Sequence, residues 1–194
     1  MAKPRSDQKR EEIFQAGLKL FAQNGYSKTT IKEIAKEAGV SFGTVFTYFE
    51  TKENLFRACV IEPLAYFKEH MLEVYEGLDN LTLPKLKELI GNHVDLFLEM
   101  EQELRIIQYV IGQPHRFSEI EELDQFADAF FLFIQDIVKI GMKKGFLPES
   151  DPQEVGYGYL AYLSGIRLIF TDHANVQLTN AFKNQALRLF GIGK

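Results

Sequence analysis

Thr29-Thr-Ile-Lys-Glu-Ile-Ala-Lys-Glu-Ala-Gly-Val-Ser-Phe-Gly-Thr-Val-Phe-Thr-Tyr-Phe-Glu-Thr-Lys-Glu-Asn-Leu-Phe56 is the segment whose reading decides the fold. Thr30 followed three residues later by Glu33 is a capping box, in which two side chains satisfy free backbone N–H groups reciprocally. It starts a short helix with Ile31, Ile34, Ala35 and Ala38 on one face. Gly39 ends that helix and Val40 plugs the turn. Ser41 then caps a third helix through Phe49, with Val45 and Phe49 facing inward, and Thr51 caps a fourth that begins at Lys52. Helix, tight turn, short helix and capped helix is the order of a helix-turn-helix, whose second helix enters the major groove of DNA.

The inward positions leave Phe42, Gly43, Thr44, Thr47 and Tyr48 facing out. Thr44 and Thr47 offer a hydroxyl to a base edge or phosphate and a methyl to thymine. Gly43 permits close backbone approach, and the Tyr48 phenol suits a phosphate oxygen. Lys52 stands at a helix start, where its charge and the free N–H groups both favour phosphate. Upstream, the spacing predicts a helix over 6–24 with Ile13, Ala16, Gly17, Leu20 and Phe21 on one face, stopped by Gly25. Downstream, the fourth helix runs well past Leu55, and Pro63 inside it predicts a kink or interruption. Further helices are expected over 84–100, 102–112, 119–145, 151–172 and 176–191, with Gln113–His115 as a loop. No stretch alternates at period two. The fold class is therefore all-α: a DNA-binding domain at 1–55 joined through the shared fourth helix to a larger helical domain at 56–194.

Composition agrees with a globular chain able to bury a core, being 46% hydrophobic and 25% charged with 17 Phe and 8 Tyr. Net charge is −5, yet residues 1–55 hold nine Lys and Arg against seven Asp and Glu, while the remainder holds thirteen against twenty. A mildly basic N-terminal end, including Lys3 and Arg5, suits local contact with phosphate. The single Cys59 forbids an internal disulfide and reads as a small core residue. No apolar run is long enough to span a membrane, and Met1–Arg5 lacks the apolar segment of a signal peptide. A cytoplasmic protein without membrane attachment is expected.

Residues 6–56 resemble the TetR family of bacterial repressors. The family pattern of Thr-x-x-x-Ile-Ala, Ala-Gly-Val-Ser, Gly-Thr-hydrophobic-aromatic-x-aromatic-Phe and Lys-x-x-Leu is met by Thr30–Ala35, Ala38–Ser41, Gly43–Phe49 and Lys52–Leu55. The resemblance implies a homodimer that binds a pseudo-palindromic double-stranded operator and is released by a small molecule. DNA-binding candidates are Thr30, Phe42, Gly43, Thr44, Phe46, Thr47, Tyr48 and Lys52. Two residues depart from the family. Phe46 stands where Tyr is usual, which removes a phenol contact to phosphate. Phe42 stands where a polar or basic residue is common, and either packs on a thymine methyl or covers the helix start.

The resemblance also implies an effector pocket among the C-terminal helices. Its candidates are Phe67, Met71, His93, Phe97, Ile107, Phe130, Ile134, Tyr159 and Tyr162, which are aromatic and aliphatic and point to a hydrophobic or aromatic effector. His93 is either a satisfied core histidine or a polar group facing the cavity. Gly158, Ala161 and Gly165 form a small-residue stripe that admits a neighbouring helix, and with Phe182, Ala186 and Leu189 they make up the expected dimer interface. No cofactor is called for. The histidines share no metal-ligand spacing, and neither a nucleophile elbow nor a Gly-rich phosphate loop is present. The rival reading is a small-molecule-binding scaffold or an enzyme with a vestigial helix-turn-helix.

Overall fold

The computed structural model describes residues 5–73, 78–117, 120–169 and 176–193. Among the described residues there is no strand. The elements are α1 (Arg5–Lys28), α2 (Ile31–Glu37), α3 (Phe42–Phe49), α4 (Lys52–Lys68), a π turn (Glu69–Glu73), a 3-10 turn (Leu78–Asn80), α5 (Leu83–Glu99), α6 (Glu101–Ile111), α7 (Glu122–Lys143), α8 (Pro152–Ile169) and α9 (Val176–Leu189). The all-α expectation holds, and each predicted helix has its counterpart. The expected start at Glu119 and end at Asp172 lie outside the described residues.

The helices gather into two compact units, one of Met1–Ala65 with Gln102–Ile120, the other of Tyr66–Glu101 with Glu121–Lys194. The first division falls inside α4, which is thus shared. Most of α6 and the segment after it, which the 55/56 division assigned to the C-terminal domain, belong to the first unit. The reason is aromatic. Phe56, which meets Phe21 at 5.1 Å and Tyr26 at 5.0 Å on α1, also meets Tyr109 at 6.3 Å and Phe117 at 5.3 Å, and so extends one ring cluster to α6 and the segment after it.

In the first unit α1 buries Ile13, Phe14, Ala16, Leu18 and Phe21, whereas Leu20, expected on that face, is half-buried. Gly17 lets α4 come close, because a Cβ there would stand 3.2 Å from Leu55. Gly25 interrupts the helical backbone of α1 at φ 73, ψ 168, a left-handed value that glycine adopts at least cost. The single hydroxyl hydrogen of buried Thr29 is shared between two carbonyls around this interruption, with Oγ1 3.1 Å from Leu20 O and 2.9 Å from Gly25 O. Buried Cys59 joins this core, with Sγ 3.8 Å from Phe14 O, and burial pushes its thiol pKa up.

Pro63 does not interrupt α4, contrary to one of the two outcomes its position allows; the irregularity comes later, as the π turn. Pro63 removes one N–H, but buried Cys59, Val60, Leu64 and Phe67 hold the helix on both sides of it, so packing prevails. The second unit is built from α5, α7, α8 and α9. Lys183 Nζ meets Asp95 Oδ2 at 2.6 Å and ties α9 to α5, while Lys144 Nζ donates to Leu81 O at 3.0 Å. Among the described residues no helix is long and apolar enough to cross a membrane.

Thr29→Val keeps the shape of the side chain but removes the one donor that two carbonyls share. A loss of about 1–3 kcal/mol is expected, read from the urea unfolding midpoint. An unchanged midpoint would mean that these carbonyls find other partners.

Candidate nucleic-acid interface and effector core

Local hydrogen bonds build the helix-turn-helix. Thr30 Oγ1 accepts from Glu33 N at 3.2 Å and meets Glu33 Oε2 at 2.8 Å, and that carboxylate also accepts from Thr30 N at 2.8 Å. These bonds from the Thr30 hydroxyl and backbone hold the Glu33 carboxyl below its ordinary pKa. The Thr30 hydroxyl is thus engaged in starting α2. Gly39 turns the chain at φ 65, with Val40 N donating back to Ala35 O at 3.0 Å. Ser41 Oγ accepts from Thr44 N at 3.2 Å and shares a hydrogen with Thr44 Oγ1 at 2.7 Å.

Val45 and Phe49 anchor α3 inward as expected. Phe42, Gly43 and Thr47 are exposed, and Thr44, Phe46 and Tyr48 are half-buried, so the candidates from Phe42 to Tyr48 share the side of α3 turned from the core. Thr47 Oγ1 donates to Gly43 O at 3.2 Å. Phe42 and Phe46 meet edge to face at 5.0 Å.

Thr51 starts α4 by accepting from Asn54 N at 3.0 Å. Lys52 follows, half-buried, with Nζ 4.1 Å from the centre of the Tyr26 ring. Burial lowers the Lys52 pKa, and the ring face offers the ammonium partial compensation. Tyr26 is itself fixed. Its hydroxyl donates to the Glu53 carboxylate, its ring meets Phe56 at 5.0 Å, and the Arg116 guanidinium lies 5.1 Å from the ring centre. Burial, then the Glu53 bond, pushes its phenol up to about 12. Arg116 also donates to Ser27 Oγ at 2.9 Å. Sequence reasoning found Lys52 but missed Tyr26 as its seat and Arg116 as a second cation on the same ring, whose charge opposes the Lys52 ammonium, because no local spacing links positions so far apart. Arg10 pairs with Glu62 and lies 4.9 Å from the Phe49 ring, so it serves as a strut between α1 and α4. Lys3 and the Arg5 side chain lie outside the described residues.

In the second unit the structure brings Phe67, Met71, His93, Phe97, Phe130, Ile134 and Tyr159 into one buried core. Phe67 meets Phe97 at 5.6 Å, and Phe130 meets both His93 and Tyr159 at 6.0 Å. His93 is fully enclosed. Its Nε2 lies 3.2 Å from Met71 O and its Nδ1 3.1 Å from the Tyr159 hydroxyl. A carbonyl only accepts, so Nε2 carries the hydrogen and Tyr159 donates to Nδ1. Burial lowers the imidazole pKa to about 4. Of the two readings of His93, the satisfied core histidine describes its placement. Tyr162 is half-buried and donates to Phe182 O at 2.9 Å. Ile107 lies on α6 and belongs to the first unit, not the second.

The dimer candidates divide. Gly158 and Ala161 are exposed and Gly165 is half-buried, and a Cβ on either glycine would meet nothing within 4 Å. Phe182 and Ala186 require correction. They are already buried within the single chain, because that face of α9 turns onto α5 and α8. Leu189 is half-buried, and the exposed residues of α9 include Ala181, Gln185 and Arg188.

Residues 13–59 match the family model described as bacterial regulatory proteins, tetR family. The chain is 26% identical over 139 residues to a fatty acid metabolism regulator protein of Bacillus subtilis, covering 72% of this chain and 71% of the relative. It is 28% identical over 114 residues to a probable acrEF/envCD operon repressor of Escherichia coli, covering 55% of this chain and 43% of that protein. A bacterial regulatory protein in the tetR family from Rhodococcus has the same fold, with TM-score 0.77, 20% identity and complete coverage of both chains. By name these relatives are a regulator, a probable repressor and a regulatory protein.

The depressed His93 pKa has a pH consequence with a definite sign. The unfolded chain takes up a proton near 6.5 that the folded chain refuses until about 4. This contribution to stability is complete above 6.5 and is lost as pH falls from there to about 4. The unfolding temperature of His93→Gln, followed by circular dichroism, should depend less steeply on pH across that window. Parallel slopes would place the proton uptake elsewhere.

Proposed function

We propose, from the match of residues 13–59 to the tetR family model and the likeness to the Bacillus subtilis regulator, that the chain is a dimeric transcriptional repressor of that family, released from its operator by a hydrophobic or aromatic small molecule. The observation that carries the reading is the pairing of a solvent-facing α3 with Lys52, held on the Tyr26 ring at the start of the next helix. Phe42, Gly43, Thr44, Phe46 and Thr47 approach the bases, Tyr48 and Lys52 hold phosphates, and Thr30 sets the start of α2. Residues 1–55 thus read DNA, and the second unit, Tyr66–Glu101 with Glu121–Lys194, holds the effector and the second subunit. Gly158, Ala161 and Gly165, with Leu189 at the edge, form the contact between subunits. Twofold symmetry then sets the two α3 helices in successive major grooves about 34–36 Å apart, on a pseudo-palindromic operator.

The effector binds among Phe67, Met71, His93, Phe97, Phe130 and Tyr159. That group carries no fixed charge, since His93 is neutral and hydrogen-bonded on both sides. This supports an effector whose buried part is apolar. The name of the Bacillus subtilis relative, a fatty acid metabolism regulator, makes acyl compounds the first to try. Release requires an effector that binds the non-operator conformation better than the operator-bound one. The link is the chain itself: α4 begins with Lys52, and the π turn that follows it offers the Met71 carbonyl to His93. An occupant that displaces His93 frees that carbonyl and the turn behind it.

Purified protein should retard a duplex carrying its operator, and an acyl or aromatic compound should abolish the shift. In the Lys52→Ala, Tyr48→Phe variant the affinity should fall. The slope of log affinity against log salt should become shallower by about 0.9 for the lost Lys52 charge alone, since the Tyr48 phenol is neutral. Unchanged affinity and slope would remove these residues from the reading face.

A further inference from the structure

The segment Phe42-Gly-Thr-Val-Phe-Thr-Tyr-Phe49 that forms α3 contains no charged and no carboxamide side chain. Proteins most often read the major groove by Arg or Lys on guanine and by Asn or Gln on adenine. Neither contact is open to this helix. Its hydroxyls are partly committed as well: Thr47 donates to Gly43 O at 3.2 Å, and Ser41 and Thr44 share a hydrogen at 2.7 Å. Cations suited to phosphate sit on neighbouring elements, at exposed Lys28, Lys32 and Lys36 and half-buried Lys52, which leaves α3 to the bases.

What α3 presents instead is apolar. Phe42 is 55% exposed, and its ring meets that of Phe46, one turn later, edge to face at 5.0 Å. This two-ring surface includes the first residue of α3, at the end of a recognition helix that contacts base edges. Beside it, Gly43 leaves open space where any side chain would begin. The apolar group that B-DNA displays among its major-groove base edges is the C5-methyl of thymine.

We propose that the Phe42–Phe46 pair reads thymine through its 5-methyl group, so that base preference rests on methyl burial rather than on bidentate hydrogen bonds. The inference rests on the DNA-binding reading above and deepens it. Deoxyuridine pairs with adenine as thymidine does but lacks the methyl, so replacing one by the other isolates the contact.

The test begins with full-length protein selecting duplexes from a random pool. Each thymidine of the selected sequence is then replaced singly by deoxyuridine, and affinity is measured at fixed salt. One or two replacements in each half-site should weaken binding about fourfold each, as expected for burying one carbon-sized apolar group. Phe42→Ala should bind the paired duplexes alike, whereas Phe42→Leu, which keeps an apolar contact, should still prefer thymidine. Phe42 is exposed, so both variants should unfold at the wild-type temperature. A selected duplex indifferent to every replacement overturns the inference alone. So does a thymidine preference that survives intact in Phe42→Ala. A selection that recovers no sequence overturns the DNA-binding reading and this inference together.

Discussion

The end of α1 and the start of α2 are separated by two residues, and each terminus leaves backbone groups that must find partners. Two adjacent threonines meet both needs. Thr29 is buried and serves the carbonyls of Leu20 and Gly25, while Thr30 is exposed and serves the first turn of α2. This double cap fixes the direction in which α2 leaves α1. The Gly39 turn and the Ser41 cap then place α3. A helix of eight residues, Phe42–Phe49, has little helical stability of its own and takes its position from those caps and from its Val45 and Phe49 anchors.

The second unit is organised differently. Its core carries a polar pair, His93 and Tyr159, at full burial, and each polar atom there has a partner. A neutral, saturated pair of this kind fixes the register of helices around it without placing a charge in the interior. The π turn matters here because its Met71 carbonyl accepts the imidazole hydrogen. The helix that opens with Lys52 is thus followed directly by a turn that ends on a hydrogen bond inside the aromatic core.

Much of this was legible in the sequence where the governing interactions are local. The capping box at Thr30 and Glu33, the caps at Ser41 and Thr51 and the inward Val45 and Phe49 all act within a turn of helix, so spacing alone reveals them, while the expected stop at Gly25 is an interruption after which α1 resumes to Lys28. The candidate residues of α3 followed from the same arithmetic. What spacing did not reveal is tertiary. The seat of Lys52 on Tyr26 joins residues far apart in the chain, as does Arg116 beside the same ring. The apolar stripe of α9 named Phe182 and Ala186 but not the partner they face, which is their own unit. Pro63 signalled a break that buried neighbours on both sides suppress. The place of α6 was hidden for the same reason, since Tyr109 and Phe117 become partners of Phe56 only once the chain has folded back.

If two copies of one helix-turn-helix read DNA together, footprinting of the purified protein on its selected operator tests it most directly. Two protected major-groove segments are expected, related by a pseudo-twofold axis and centred about 34–36 Å apart on one face of the duplex. A single unrepeated segment, or uniform protection without regard to sequence, would contradict paired reading.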